Sequence, residues 1–427
     1  MGNKIAVGLL GLGVVGSGVI RIIEDHQKKL AHQLGCEVQI KRVLIRDPNK
    51  DRNVSLQDGV LTTNPKDVLE DPDIDIIVEV MGGVDEAYEH ISQAFQAKKH
   101  VITANKDLIA LHGPALEKLA GQHECDLFYE ASVAGGIPIL RGLTDGLVSD
   151  QIHQIMGIVN GTTNYILTKM DADGATFHDA LTEAQKLGFA EADPTADVEG
   201  LDAARKMAIL ARLAFSSNVN LQQVDTEGIA NIALADLEYG KQLGYTMKLI
   251  GYAKDHDQSV EVSVQPTLLS KTHPLAEVKN EYNAVYVNGA AIGETMFYGP
   301  GAGSLPTATA VVSDIVEVIK NIQLGATGRR VTVPQFNKGA AEPNQCFSQY
   351  YLRLQVGENE EVFAAVSKLF LDIGIRLEKT VQKPGELILV TESTSLENLE
   401  QIKQQLVQLE HVNGIAGCYR VEGEEGQ

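Results

Sequence analysis

The chain has 427 residues, with 36 Lys plus Arg against 57 Asp plus Glu and a formal net charge of −21. That balance repels phosphate backbones and anionic membrane surfaces, and no local basic patch offsets it, so neither a nucleic acid nor a membrane is an expected partner. At about 150 residues per domain the length calls for roughly three domains. A composition of 44% hydrophobic and 22% charged residues is globular, and no apolar run reaches the ~18 residues that a spanning helix needs.

The run IAVGLLGLGVVGSGVI (5–20) has the hydrophobicity of a signal-peptide core, but its glycines sit at phosphate-loop spacing and no A-x-A cleavage site follows, which argues against export. Cys36, Cys125, Cys346 and Cys418 lack C-x-x-C spacing, so neither a zinc site nor a disulfide framework is expected. A reduced, cytoplasmic protein is the simplest inference.

From 4 to about 135, IAVGLLG, a long helix to about Leu34, VQIKRVLIR, IDIIVEVMG, HVITANK and LFYEAS alternate strand and helix. Continuous apolar strands between helical periods predict an α/β domain whose parallel sheet is covered on both faces. GLGVVG follows the first strand and precedes a helix, the context in which this spacing signals a Rossmann-type dinucleotide site. Gly11 allows the tight turn, Gly13 lets backbone approach a pyrophosphate, and Gly16 permits close helix packing, with Val14 and Val15 in the loop itself. At the end of the second strand stand Arg46 and Asp47. Arg46, with Lys50 nearby, suits a 2′-phosphate and favours NADP(H), while Asp47 leaves NAD(H) open.

TANK puts Thr103 and Lys106 just past a strand's C-terminal end, where ligands sit in open α/β sheets; Lys106 reads either as a partner for a substrate carboxylate beside the nicotinamide or as a surface lysine. YEASVAGGIP (129–138) ends a strand in an irregular turn near Glu130, whose carbonyls suit either a hard monovalent cation or a simple crossing between domains.

Residues 136–305 read as an α+β substrate domain. NGTTNYIL (160–167) looks like a helix start capped by Asn160, Thr162 or Thr163, without derivable chemistry. Over 199–215 the stripe Asp202, Lys206, Ile209, Leu213 follows one helix face, while Arg205 and Arg212 fall on another, where a solvated role is natural. Asp202 and Lys206 are either an i,i+4 surface pair or a base and its orienting acid for hydroxyl oxidation. Glu191 suits an amino-acid ammonium or a bound water, or is an ordinary loop acid. Asp197 reads as a substrate-side acid or, like Asp193, as a cap or solvating charge.

YGPGAGSLPT (298–307) opens the helix TATAVVSDIVEVIKNI, expected to return to the first domain over 306–325. Residues 326–348 lack a period and read as a linker. From 349 to 427 the order β-α-β-β-α-β predicts a ferredoxin-like module.

GLGVVG, TANK, YEASVAGGIP, GIVNGTTNYILTKM and above all GFAEADPTADVEGLDAARK closely resemble the homoserine dehydrogenase family, in its order and spacing over about 1–325. The resemblance implies reversible NAD(P)-dependent interconversion of L-homoserine and L-aspartate 4-semialdehyde. It further implies Lys206 as the catalytic lysine, Asp202 as its partner acid, Glu191 as a homoserine ligand and Lys106 as a lysine at the nicotinamide end. By the same resemblance Glu130, with the carbonyls of Val133, Gly135 and Ile137, matches a sodium site, and Gly303 lines the cofactor pocket. The domain over 136–305 then serves catalysis and dimerisation, in a homodimer or homotetramer. The C-terminal module resembles an ACT domain, but its first turn reads GENEEVF (357–363) without the family's proline and glycine, leaving open whether it senses an amino-acid effector or is purely structural. Two alternatives stand beside this reading: an oxidoreductase of the same architecture acting on another small carboxylated aldehyde, and a non-catalytic nucleotide sensor. The Asp202, Lys206, Glu191 set argues against the sensor.

Overall fold

The structure is a computed structural model that describes residues 4–50, 52, 54, 56–329, 334–357 and 361–423. Glu358, Asn359 and Glu360 of the GENEEVF turn lie outside the described residues. Two compact units form. The first is Met1–Gln151, Ala208–Leu221 and Phe297–Asn337, and the second Ile152–Met207, Gln222–Met296 and Lys338–Gln427.

The chain opens with β1 (Lys4–Leu10), α1 (Val14–Asp25), α2 (Gln27–Leu34), β2 (Glu37–Leu44), β3 (Leu61–Thr62), α3 (Lys66–Leu69), β4 (Ile76–Glu79), α4 (Asp85–Gln96), β5 (His100–Thr103), α5 (Lys106–Gln122), β6 (Leu127–Phe128) and the single turn α6 (Ile139–Arg141). There follow β7 (Ile152–Ile158), α7 (Gly161–Asp173), α8 (Phe177–Leu187), α9 (Thr195–Val198), α10 (Leu201–Ala214), β8 (Asp225–Thr226), α11 (Leu234–Leu243), β9 (Tyr245–Asp255), β10 (Ser259–Ser270), β11 (Tyr282–Gly289), β12 (Gly293–Pro300) and α12 (Ser304–Leu324). The C-terminal stretch runs β13 (Gly339–Ala340), β14 (Phe347–Val356), α13 (Val362–Asp372), β15 (Leu377–Lys383), β16 (Glu386–Thr391), β17 (Thr394–Ser395), α14 (Leu396–Leu406) and β18 (Val412–Glu422).

In the first unit six strands pair in parallel in the order β3-β2-β1-β4-β5-β6. Ile76, Ile77 and Val78 are wholly buried, as strands covered on both faces must be. The order reverses beside β1, so the loop after β1 lies at the crevice where open α/β sheets bind ligands. α12 lays Val311, Ile315 and Val318 into the core with Val7, Leu9, Val19 and Ile20, which returns it to the sheet as the sequence predicts. The single long helix expected to Leu34 is instead two, broken at His26 (φ −109°, ψ 14°). The exposed polar run from Glu24 to Lys29 offers no apolar anchor to a straight helix, and past the bend Leu30 and Leu34 reach the core.

A second correction concerns Arg212, which is 3% exposed rather than solvated. Pro114 inside α5 has no N–H for the carbonyl of Ala110 four residues back. The Arg212 guanidinium supplies the missing donor, Nη2 to the Ala110 carbonyl at 3.1 Å, and its Nη1 donates to the neighbouring Ile109 carbonyl at 3.1 Å. Gly113 is required beside it, since a Cβ there would stand 2.5 Å from Nη1. Arg212→Met keeps the packing volume but orphans the Ala110 carbonyl, and is expected to destabilise the protein by about 1–3 kcal/mol, read as a lower urea midpoint. An unchanged midpoint would remove Arg212 from this role.

The second unit is built on a mixed sheet in the order β12-β11-β7-β9-β10-β18-β14-β16-β15. β9 and β10 form a long antiparallel hairpin, and β18 pairs in parallel with β10, joining Thr267 to Arg420 and Leu269 to Glu422. The strands from 347 onward therefore extend the same sheet. They enclose a core of their own around Leu352, Val366, Phe370, Leu389, Ile402 and Leu406. Among the described residues no helix is long and apolar enough to cross a membrane.

Candidate active site

In the first unit the loop after β1 has the geometry its glycines require. Gly11 takes φ +103°, and a Cβ there would press to 2.8 Å from the Val80 carbonyl oxygen. A Cβ on Gly16 would stand 2.4 Å from the Gly11 carbonyl oxygen, whereas one on Gly13 would meet nothing within 4 Å. Gly11 and Gly16 are thus fixed by close packing, while Gly13 faces the open space that a pyrophosphate would occupy. Gly13 also caps α1 without a side chain, so the first-turn N–H groups remain available to an anion. A cavity of about 560 Å³ opens here, lined by Gly13, Val14, Ser17, Lys50, Arg52 and Ser304 among others. Val14 is exposed and Val15 half-buried, and the Ser304 hydroxyl, one residue past Gly303 at φ +120°, donates to the Val14 carbonyl at 2.7 Å.

Arg46 does not line that cavity. It makes an exposed ion pair with Glu86 at 2.8 Å. Arg52, unremarked in the sequence, does line it. Its Nη atoms donate to the Lys50 and Asp47 carbonyls at 2.7 and 2.6 Å, and its buried Nε has no partner among the described residues. Thr103 ends β5 with its hydroxyl committed to the fully buried Glu79 at 2.6 Å. Lys106 is the half-buried first residue of α5, whose cap Asn105 accepts the Leu108 N–H.

Glu130 is buried, its Oε1 accepting the Leu140 N–H and its Oε2 the Arg141 N–H, each at 2.8 Å. Its own N–H donates to Asp314, which ion-pairs with Arg141 at 2.6 Å. Complete burial pushes the Asp314 carboxyl up to about 7, against the pull of Arg141. The Ile137 carbonyl accepts the Ile139 N–H. No cluster of three or more His, Cys, Asp or Glu is assembled for a metal among the described residues. Carboxylate and carbonyl oxygens are the ligand type that a hard monovalent cation takes.

The second unit gathers the acid-base candidates. Lys206 and Asp202 share one face of α10, with Nζ 2.7 Å from Asp202 Oδ2 and side chains only 12% and 6% exposed. Nζ also donates to the Val159 carbonyl at 2.6 Å, which leaves one of its three N–H groups for another acceptor. An ordinary i,i+4 pair on a solvated helix has neither this burial nor a backbone anchor. Asn160, the cap of α7, donates through Nδ2 to Asp197 at 2.7 Å and to Asp202 at 2.8 Å. Burial raises the Asp197 carboxyl above its ordinary value, and the Asp202 charge adds to the shift. Glu191 lies exposed in the loop after α8, its carboxylate free of hydrogen bonds to the described residues. The site therefore joins Asp202 and Lys206, four apart on one helix, with Asp197 and with Asn160, for which the sequence signalled only a helix start. Such a buried ammonium, bound to an acid and a carbonyl, can pass a proton to an oxygen placed at its third N–H.

Compared with known proteins, residues 11–130 match the family model for the NAD-binding domain of homoserine dehydrogenase, and residues 138–316 match that for homoserine dehydrogenase. The homoserine dehydrogenase of Bacillus subtilis (strain 168) is 54% identical over 428 residues, spanning 99% of each chain. The crystal structure of a homoserine dehydrogenase from Thiobacillus denitrificans aligns with a TM-score of 0.94 at 38% identity, over 99% of each chain. A hyperthermophilic archaeal homoserine dehydrogenase solved in complex with NADPH aligns with a TM-score of 0.64 at 28% identity, over 74% of this chain and 98% of its own.

Proposed function

The chain belongs to the homoserine dehydrogenase family, and from that premise we propose that Lys206 gives and takes the alcohol proton in the interconversion of L-aspartate 4-semialdehyde and L-homoserine. The observation that carries this reading is the largely buried ammonium of Lys206, held by Asp202 and Val159 with one N–H to spare. A reduced nicotinamide held at the glycine loop would supply the hydride that the aldehyde carbon takes up. Lys206 then donates its spare proton to the carbonyl oxygen as negative charge grows there, and takes it back in the oxidation. Asp202 keeps the ammonium oriented. Glu191, with its uncommitted carboxylate, suits the substrate ammonium with Asp197 nearby in sequence, and Lys106 suits the substrate carboxylate.

NADP(H) is the cofactor we favour, with NAD(H) as the lesser one. Lys50 and Arg52 line the cavity at Gly13 and supply charge for a 2′-phosphate, with Arg46 as a further candidate. Arg52→Ala is expected to raise the KM for NADPH about tenfold with little change for NADH, since a charge-assisted hydrogen bond to phosphate is lost. Arg46→Ala should do so less, because Glu86 already holds that guanidinium. Equal losses for the two cofactors would take both arginines out of the phosphate site.

Sodium is assigned to Glu130 with the carbonyls of Val133, Gly135 and Ile137, on donor chemistry alone. We read residues 1–135 with 306–325 as the nucleotide domain, 136–305 as the catalytic and dimerisation domain, 326–348 as a linker and 349–427 as an ACT domain. The order β14-α13-β15-β16-α14-β18, interrupted by the two-residue β17, supports the last of these. Its strands continue the sheet through β18, which favours a structural over an effector-sensing role. Assembly as a homodimer or homotetramer and a cytoplasmic location complete the reading; the four cysteines are free thiols, in keeping with a reducing compartment. The test is loss of reduced-nicotinamide absorbance when purified protein meets NADPH and L-aspartate 4-semialdehyde. Cofactor binding without turnover would refute it.

A further inference from the structure

We propose that Asn160 is a positioning residue for the proton transfer: its one carboxamide separates Asp197 from Asp202 and so holds Asp202 beneath Lys206. The proposal rests on Lys206 being the proton donor. Asn160 uses its whole hydrogen-bonding capacity. Nδ2 gives one N–H to Asp197 Oδ1 at 2.7 Å and the other to Asp202 Oδ2 at 2.8 Å. Oδ1 accepts both the Thr163 N–H at 2.9 Å and the Thr163 hydroxyl at 3.0 Å. Ionised carboxylates only accept and an amide N–H only donates, so the carboxamide has one possible orientation.

Two carboxylates side by side in a buried setting repel each other, and Asp197 is already pressed toward its neutral form by that burial. The Asn160 NH2 stands between them and donates to each. On Asp202 the same oxygen, Oδ2, receives both Asn160 and Lys206. A carboxylate rotating away from Lys206 therefore breaks two charge-assisted bonds at once. The positive end of α7 adds favourable potential at the same place.

The scaffold behind Asn160 is fixed. One turn along α7, Asn164 donates to the Tyr282 carbonyl at 3.1 Å and accepts from the buried Lys248 at 2.9 Å. Asn160 thus transmits the placement of a rigid helix to Asp202, and through it to Lys206.

Capping and bridging are separable by mutation. Serine caps a helix about as well as asparagine but has no N–H pair to divide. Asn160→Asp is isosteric and keeps a capping oxygen, yet turns the bridging NH2 into a third acceptor. Both are to be compared with wild type and Lys206→Ala by kcat, by KM for NADPH and semialdehyde, and by melting temperature. Asn160→Ser is expected to melt nearly as wild type, keep its KM for NADPH and lose about 10- to 100-fold in kcat, the scale of a misplaced reacting group. Asn160→Asp should lose at least as much. Either variant turning over within about twofold of wild type overturns the proposal and leaves Asn160 a helix cap. Should Lys206→Ala itself turn over normally, the proton-donor reading fails, and this proposal with it.

Discussion

Lys206→Ala is expected to lower turnover by about 10² to 10⁴, the range that general acid-base catalysis contributes, with NADPH affinity nearly unchanged. The reduction leaves negative charge on the substrate oxygen as hydride arrives, and the alanine variant has only water to quench it. Lys206 is committed to Asp202 and the Val159 carbonyl, so its loss strips the proton source and leaves the glycine loop intact. Lys206→Arg separates charge from proton. Arginine restores a cation beside Asp202 but does not give up a proton near neutral pH, so it should stay as slow as alanine. Stopped-flow and steady-state loss of reduced-nicotinamide absorbance give the rate, and fluorescence titration with NADPH gives the affinity. Near-wild-type turnover in the arginine variant would make the role of Lys206 electrostatic; in the alanine variant it would end the assignment.

What the sequence carries of this site is set by how local each interaction is. Asp202 and Lys206 sit four apart on one helix, so spacing alone brings their side chains together. Gly11, Gly13 and Gly16 are constrained within one turn of chain, and their spacing marks the loop before any coordinates exist. Asn160 is different. Its partners lie 37 and 42 residues away, and at its own position the only signal is that of a helix cap. Arg212 reads as solvated because the carbonyls it serves are about a hundred residues earlier, one of them freed by a proline whose effect is invisible until α5 and Arg212 meet. Arg52 reaches the nucleotide cavity from an irregular segment to which no periodicity applies.

The fold divides along the same line. The parallel strands of the first unit carry short, continuous apolar runs such as Ile76, Ile77 and Val78, a pattern that burial on both faces produces. β7 and β9 escaped the reading because their mixed runs, IHQIMGI and YTMKLIGYAKD, alternate weakly and resemble a buried helix as much as a strand. Pairing with β10 and β11 decides the matter, and pairing partners are not written in a single segment. The continuity of β18 with β10 is equally non-local.

That continuity is locked by a buried charge, and Asp236→Ala is expected to destabilise the protein by about 3–5 kcal/mol, the cost of leaving a buried charge without its partner. Asp236 on α11 is fully buried. Its Oδ1 accepts Arg353 Nε at 2.7 Å and the Tyr351 hydroxyl at 3.0 Å, and its Oδ2 accepts Arg353 Nη2 at 3.0 Å and the Tyr419 hydroxyl at 3.3 Å. Every lone pair of the carboxylate is taken. Arg353, Tyr351 and Tyr419 belong to β14 and β18, so one acid on a helix of the catalytic segment fastens the C-terminal strands. Gly417 leaves the room for it, since a Cβ there would stand 2.6 Å from Oδ1. Glu386 gives Arg353 a second acceptor at 2.8 Å, but it is partly exposed and its charge is screened more than that of the buried Asp236. Alanine leaves Arg353 with only the partly exposed Glu386 and leaves two hydroxyls unmet, and at about 2–4 °C per kcal/mol the melting temperature should fall by roughly 10 °C. Asp236→Asn keeps the shape but points an NH2 at donors, and should lose much of the same. Melting curves for both variants decide the matter: a fall in midpoint with little change in kcat at low temperature is the expected pattern, because none of these groups bonds to Lys206 or Asp202. An unchanged midpoint would mean that the strand pairing of β10 with β18 holds the C-terminal segment by itself.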